Sequence, residues 1–576
     1  MFERGLKHMA LRRVLARTLV GSLLALSCGL VHAQQVPDAG SILREQPKPP
    51  PVVAPKPAPA TPSATPAPTD GGPTVLVKGF RIVGASLIPV AELAEQLKDF
   101  VGQALSLSQL QRAAPTLIAY YAQKGFLARV VLPPQEIKDG IVDISVIEGR
   151  RGALRIERKD GARVDAARVQ GFVENRLGAG EAMSLANLEE ALNILNDQPG
   201  VAARSSVAPG STERAVDVVV SAEDKPLVNI GLGADNRGAR ASGTAQLSGS
   251  LSLANPTGLF DAASALVNAS RGTTFGRLDY SLAAGNSGLR LGANASALEY
   301  DLVQSAFRAL QASGTARTAG LSAAYPIFRQ ADYSLSLGAS VDAKRLRDQT
   351  IAGETSNRRV RVASVGLSGY ASDAFFGGGT TQYDASFSAG KTDQRNAAAL
   401  AADLAARQIQ GSYNKVNYSV RRLQSLGGDW SLSAALRGQS ASKNLDSTER
   451  FVLGGPSGVR AYPVGEAAAD EGWLLSLALG WRATEQLVAS VFVDTGGVTL
   501  NNNLWANWNA GNPRLPNRYQ LSGAGIGVDW RFASQAVVSI AIATPWGSNP
   551  GRDANDRNVD GGTNGSRGWI SVNLQF

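Results

Sequence analysis

The chain has 576 residues and a formal net charge of +9, and its one cysteine and two histidines (Cys28, His8 and His32) all fall within the first 33 positions. That length exceeds one ordinary globular core and points to several domains or to a large barrel with appendages. With the first 33 residues set aside, 543 remain without cysteine or histidine, which excludes Ser-His-Asp and Cys-His catalysis, Cys/His zinc centres, His- or Cys-ligated haem and disulfides.

Residues 1–33 read as a secretory signal peptide. Arg4, Lys7, Arg12, Arg13 and Arg17 precede an apolar stretch from Leu19 to Leu30, and Val31-His32-Ala33 supplies small residues at the cleavage positions. A lipidated Cys28 after Ala25-Leu26-Ser27 is the alternative. Five basic residues and Glu3 leave with this leader, so the charge falls from +9 to +5, too small a surplus for a nucleic-acid footprint. No later segment approaches the length of apolar chain that a membrane helix needs. Spanning by β-strands stays open.

Residues 34–46 form a short polar segment with a turn or two of helix from Asp38, the alternative being a disordered tail. Residues 47–73 carry 11 of the 27 prolines and read as an extended polyproline spacer, whose 27 residues at about 3.1 Å each reach roughly 80 Å.

Two α+β modules are expected next, at 74–150 and 151–226, each in the order strand, two helices, two strands; a single domain over the same residues is the alternative. In the first, VLVKGFRIVG is a strand, a helix covers Val90 to Phe100, and a second from Ser108 places Leu110, Ala114, Leu117, Ile118 and Tyr121 on one face. LARVVLP and IVDISVIEG close it as strands. The second runs through ALRIER, helices at Ala166 to Leu177 and from Ser184, and strands near 201–207 and 215–222.

From residue 227 to 576 helical periodicity gives way to alternation with period 2. In GWLLSLALGW, Trp473, Leu475, Leu477, Leu479 and Trp481 share one side; at the C-terminus Ile570, Val572, Leu574 and Phe576 alternate with Ser571, Asn573 and Gln575. Strands apolar on one face, small or polar on the other and flanked by aromatics are what a transmembrane barrel requires, and all eight tryptophans lie from Trp430 onward. Sixteen strands can be counted. Short connections such as NPTGL, GNS, PIFR and LGG alternate with long ones near 344–357, 390–410, 442–471, 496–519 and 545–566, the asymmetry of periplasmic turns and external loops. An even count puts both modules in the periplasm. A soluble many-stranded sandwich is the alternative.

Three motifs carry a family resemblance. YYAQKGFLARVVLPPQEIKDGIVDISVIEG resembles a first POTRA domain, with Gly125, Pro133, Gln135, Gly140, Glu148 and Gly149 in matching places; ADNRG and NPTGLFD resemble a first barrel hairpin; and GGPSGVRAYPVGE, in loop 442–471, resembles a Val-Arg-Gly-Tyr/Phe signature through Val459, Arg460 and Tyr462, with Ala461 in the glycine's place. The chain is thereby similar to the two-partner secretion transporters of the Omp85 superfamily, the haemolysin secretion/activation proteins.

The resemblance implies a 16-stranded antiparallel transmembrane β-barrel with two N-terminal α+β POTRA domains in the periplasm. It implies capture of one secreted partner, a large adhesin- or haemolysin-like exoprotein, and its unfolded export through the pore. POTRA edge strands, with the six matching residues, would bind the client; PDAGSILRE, with Asp38, Leu43 and Arg44, would be the plug helix; Phe576 would be read by the outer-membrane assembly machinery; and outer-membrane lipid would surround the barrel.

In SVFVDTGG, Ser490, Phe492, Asp494 and Gly496 share one face and Leu487, Ala489, Val491 and Val493 the other, so the second set suits lipid and the first the lumen. The resemblance implies Arg460 as the counter-charge of Asp494, latching the loop inside. No cofactor, metal or catalytic residue is expected. AGKT at 389–392 has Ala385 where a phosphate loop needs its first glycine and is read as part of an external loop; GLGADNRG lacks the strand-to-helix setting of a dinucleotide site. An Omp85-type assembly factor, a passive porin and an outer-membrane hydrolase are the competing functions, the last disfavoured because no histidine base remains.

Overall fold

The computed structural model describes residues 36–47, 74–178, 182–212, 214–563 and 565–576. The expected signal peptide and all of the proline-rich spacer beyond Pro47 lie outside them.

Two three-stranded sheets, each with its own core, precede the barrel. In the first, Ile141–Glu148 is central, parallel to Gly79–Val83 and antiparallel to Ala128–Val131. Leu93, Leu97, Leu117, Tyr121 and Ile144 are buried beneath it. VLVKGFRIVG divides: Thr74–Leu76 pairs with Ala104–Ser106, and Gly79–Val83 joins the larger sheet. The break comes where Lys78 N–H donates to the Gly140 carbonyl instead of continuing a ladder. The expected second helix is two pieces, Leu107–Leu110 and Ala113–Gln123, and Ile118 turns to solvent rather than to the core.

In the second sheet Ala215–Asp224 is central between Arg150–Glu157 and Val201–Pro209. Helix Ala166–Leu177 begins at Asp165, whose carboxylate accepts from two backbone N–H groups, and helix Leu185–Asn196 begins at Ser184, which caps Asn187; both are N-cap residues of the preferred kind.

The remaining chain closes as a barrel of 16 antiparallel strands from Val228–Asp235 to Arg567–Gln575, the first and last paired through Gly231–Asp235 and Ser571–Gln575. Closure leaves no unpaired edge, the condition for a sheet to lie in lipid. No helix among the described residues is long and apolar enough to cross a membrane.

Two sequence readings are corrected here. The external loop expected at 344–357 is a two-residue turn, because Tyr333–Thr350 and Gly353–Asp373 run far beyond their apolar segments as a paired ladder. AGKT lies within strand Gly379–Gln394 instead of a loop.

The first short turn and the barrel start explain two motifs. In NPTGLFD, Asn255 and Phe260 adopt positive φ, Asn255 Oδ1 accepts from Phe260 N–H, and the Phe260 ring meets Phe172 of the second module edge-on at 5.4 Å. In ADNRG, Asn236 bonds both ways to the last strand, donating to the Gly568 carbonyl and accepting from Ile570 N–H, each at 2.9 Å. One motif seats the second module on the barrel; the other closes the seam.

Candidate functional site

Loop 442–471 folds into the lumen. Its hairpin strands Phe451–Val452 and Ala468–Ala469 pair, and Leu453, Val459, Ala461 and Tyr462 are buried against Leu474, Phe492 and Leu521 of the wall. The strand alternation sets this up: Val491 and Val493 face outward and are exposed, whereas Phe492 and Asp494 face inward and are buried. Arg460 Nε and Nη2 each donate to Asp494 at 2.8 Å, and the Arg460 backbone N–H donates to the same carboxylate at 3.1 Å. The guanidinium also lies over the Phe492 ring, 3.2 Å from its centroid. A forked cation on a carboxylate, stacked on an aromatic face, is a geometry that lysine cannot reproduce.

The loop tip is fixed from a second side. Trp569 Nε1, on the last strand, donates to the Arg460 carbonyl at 2.8 Å. Ala461 keeps negative φ, so its side chain costs the backbone nothing. It needs space instead: a Cβ placed on Gly523 would lie 2.5 Å from that of Ala461. Gly496 leaves room in the same way for Leu453.

The helix in segment 34–46 is Ala39–Glu45, with Asp38 as N-cap in a reciprocal capping box with Ser41. It sits inside the barrel, where Ala39 and Ile42 are fully buried among Phe275, Leu298, Ala316, Leu346 and Val360; Leu43 packs at the margin of that cluster. Arg358 of the wall holds three carboxylates, Asp38 at 2.8 Å, Asp348 at 3.0 Å and Asp446 at 2.9 Å. Asp348 also accepts from Ala39 N–H and from the Tyr300 hydroxyl. Ser447 donates to Asp38, and Arg44 donates to the Ser447 carbonyl at 2.6 Å, so helix and long loop are joined directly. Burial pushes the Asp38 carboxyl up, but Arg358 and the hydrogen bonds outweigh it and hold it well below the usual carboxylate range. Glu45 is different: burial dominates over the neighbouring Arg44, Asp38 adds repulsion, and its carboxyl rises to about 7. Glu466, buried in the loop, also rises to about 7.

No motif in the sequence marks Arg358, Asp348, Asp446, Ser447, Tyr300 or Trp569. The one signal for them is parity, since Arg358 shares the inward face with Val360 and Val362.

The six POTRA-signature residues have internal contacts. Glu148 accepts from Ser86 N–H and Leu87 N–H at 2.7 Å, from the Ser86 hydroxyl and from the buried Tyr121 hydroxyl at 2.9 Å. Gln135 brackets the backbone of Asp143, and its amide also reaches the Pro133 carbonyl. Gly140 has positive φ, and a Cβ there would meet the Leu76 carbonyl at 2.6 Å. Gly125 and Gly149 form the seam between the modules: the Gly125 carbonyl accepts from Leu185 N–H and the Gly149 carbonyl from Met183 N–H. The second module is clamped to the barrel by Arg329, which holds Asp197 through two nitrogens, and by Arg290, which donates to Gln198. At the other end of the chain, Phe576 exchanges both backbone hydrogen bonds with Ile230 of the first strand.

Residues 215–530 match the family model of the haemolysin secretion/activation proteins ShlB/FhaC/HecB, and residues 75–149 match the ShlB-type POTRA domain. The chain is 27% identical over 467 residues to the heme/hemopexin transporter protein HuxB of Haemophilus influenzae, covering 80% of this chain and 81% of that one. It is 28% identical over 207 residues to the outer membrane transporter CdiB of Escherichia coli, covering 35% and 34%. Its fold is similar to that of CdiB from E. coli, with a TM-score of 0.66 at 19% identity over 90% of this chain and 94% of that one. CdiB from Acinetobacter baumannii gives 0.59 at 16% identity over 98% of both chains.

Proposed function

Because the chain belongs to the haemolysin secretion/activation family ShlB/FhaC/HecB, we propose that its export cycle is the ordered release of two lumenal elements, helix 39–45 and loop 442–471, each held by a charge latch. The protein is an outer-membrane transporter of two-partner secretion, with a transmembrane β-barrel and periplasmic POTRA domains, and it exports a partner protein through that barrel. The observation that supports the cycle is the Arg358 cluster. Beside the apolar contacts of helix and loop with the wall, it joins all three through ion pairs that a polar client can compete for.

In this reading the client, a large adhesin- or haemolysin-like exoprotein, adds a strand to an open edge of a module sheet, Gly79–Val83 or Ala128–Val131 in the first, through main-chain hydrogen bonds. Gly125, Pro133, Gln135, Gly140, Glu148 and Gly149 shape that module and its seam. Asp38, Leu43 and Arg44 seat the plug, Arg460 and Asp494 hold the loop, and Phe576 closes the seam that the assembly machinery completes. No catalytic step is assigned to any residue.

Planar-bilayer conductance with and without residues 34–46, paired with a secretion assay, tests the cycle. The deletion should open the resting channel and leave client export intact. Equal resting conductance in both chains would refute the plug.

A further inference from the structure

On the barrel's outer surface the strands Ser313–Arg329, Tyr333–Thr350, Gly353–Asp373 and Gly379–Gln394 turn their odd-numbered residues outward between the bulges at Pro326/Phe328 and Asp348/Gln349, while Leu346, Arg358 and Val360 face helix 39–45. Read across the register, Arg317 lies opposite Arg345 and Arg345 opposite Arg359. One step lower, Arg361 lies opposite Lys391. Five cations are thus gathered on four neighbouring strands. Like charges directly opposite one another on a sheet face repel; Asp393 stands opposite Arg359 at the end of the row, but Arg317, Arg345, Arg359 and Arg361 make no ion pair or hydrogen bond among the described residues. The acids of this face are otherwise engaged or set to one side. Asp393, opposite Arg359, lies 3.8 Å from Lys391, Glu354 pairs with Arg347, and Glu299 stands opposite Thr315, diagonal to Arg317 and with no ion pair to it.

The height of the row is set by its strands. Arg329, at the far end of the first, grips Asp197 of the periplasmic module, so the arginine row is on the extracellular half. Below it, the outward residues from Ala343 down to Tyr333 are Ala, Val, Leu and Tyr. Their rise, at about 3.3 Å per residue and a strand tilt of roughly 40°, spans about 25 Å, the height of a hydrocarbon band. The cations therefore stand just above that band, where the headgroups of the outer leaflet lie. Immediately beneath them is a groove of about 770 Å³ whose floor is Ala319, Ala343, Ala363 and Ala389, with Arg361 and Lys391 at its upper edge and Leu321 and Val341 beside it.

We propose that Arg317, Arg345, Arg359, Arg361 and Lys391 bind the phosphorylated headgroup of a glycolipid of the outer leaflet, with an acyl chain lying in the alanine-floored groove. Guanidinium forks match phosphate oxygens two at a time, and a group carrying more than one phosphate neutralises five cations that have only the Asp393 carboxylate set against them. Lipid is the occupant, rather than a soluble anion, because the cations stand on the lipid-facing wall and continue into an apolar groove.

The test uses the full chain purified in detergent, titrated by native mass spectrometry with bis-phosphorylated lipid A, with the same glycolipid after removal of its phosphates, and with inorganic phosphate. Lipid A should bind at least about tenfold more tightly than the dephosphorylated form, and more weakly as salt is raised. The triple variant R345Q/R359Q/R361Q should lose about tenfold in affinity, while R531Q, at the periplasmic end of the barrel, should bind as the parent does. If the triple variant fails the heat-modifiability check for a closed barrel, R359Q alone, which removes one member of the repelling row, should fold and still weaken lipid A about threefold. Equal binding of the dephosphorylated glycolipid, or unchanged binding by the folded variants, would overturn the site. Displacement of lipid A by equimolar inorganic phosphate would assign the row to a soluble anion and overturn the lipid.

Discussion

Asp38 and Arg358 meet at 2.8 Å inside the barrel, although 320 residues separate them in the chain. A helix of seven residues is not stable alone in water, so its place in the lumen depends on such contacts. The two partners differ in what they leave behind. Asp38→Asn keeps Arg358 paired with Asp348 and Asp446, and the wall survives; Arg358→Ala takes the cation from two buried carboxylates, Asp348 and Asp446, and from the half-buried Asp38. Asp38→Asn should therefore raise resting conductance with an unchanged barrel melting temperature. Arg358→Ala should lower that temperature as well, with a cost of about 3–5 kcal/mol. Identical behaviour of the two in conductance and heat-modifiability assays would rule out the pair as a plug latch.

At the loop, Asp494 is buried while Arg460 retains some solvent contact and a ring to lie on. Arg460→Ala leaves an uncompensated buried charge, and Asp494→Ala leaves a guanidinium still stacked on Phe492. The first should destabilise the inward loop more, and the double variant should be no worse than Arg460→Ala alone, with a coupling energy of about 1–3 kcal/mol. Loop protease protection and export of the client are the two readouts. Additive effects would show that the residues act independently.

Much of this arrangement could be read from residue order, and the exceptions have physical causes. Alternation placed Phe492 and Asp494 inward and Val491 and Val493 outward, because a strand gives each residue one of two faces and lipid tolerates only one kind of side chain there. The same signal failed at 344–357, where Arg345 and Arg347 turn outward above the apolar band and Lys344 and Asp348 inward; the backbone ladder continues although the hydrophobic pattern stops. The Arg358 cluster was not legible, since nothing local to Arg358 indicates that Asp38 and Asp446 come to it. The POTRA signature was legible as a pattern but not as a set of contacts: Glu148 accepts from the buried Tyr121 hydroxyl and from the backbone at Ser86, an internal role that the motif alone does not distinguish from binding.

Glu45 gives the docking of helix 39–45 a pH dependence whose sign can be worked out. Its carboxyl has an ordinary value of 4.5 and rises to about 7 in the docked helix, through burial first, with Arg44 opposing and Asp38 reinforcing. Between those values the docked state binds more protons than the released one. Its stability is therefore complete at the acid end and falls as pH rises toward 7. Asp38, held low, stays ionised throughout and adds no slope. Resting open probability should climb from about pH 5 to about pH 8, and Glu45→Gln should flatten that climb down to the part contributed by Glu466 in the loop, which rises to the same value. A steeper curve in Glu45→Gln, or one of opposite sign, would contradict this account.

The contact between Ala461 and Gly523 provides a steric test of loop docking that involves no charge. A Cβ on Gly523 would lie 2.5 Å from the Ala461 Cβ, 3.1 Å from the Thr544 carbonyl oxygen and 3.6 Å from Val459 Cγ1. Only the first of these is too short for any real pair of carbons. Gly523→Ala must therefore push the loop tip off the wall, lengthening the approach of Arg460 to Asp494 even though both residues are unchanged. Overpacking of this kind typically costs about 1–3 kcal/mol. Ala461→Gly removes the obstructing atom and restores a glycine to the loop signature, so the double variant Ala461→Gly/Gly523→Ala should recover most of the loss, while Ala461→Gly alone should be nearly neutral. Protease protection of loop 442–471 in folded barrels measures all three. Recovery would show that Ala461 and Gly523 fit each other as a pair across the lumen; failure to recover would mean that Gly523 is needed for the wall itself, through its neighbour Thr544, and not for the loop.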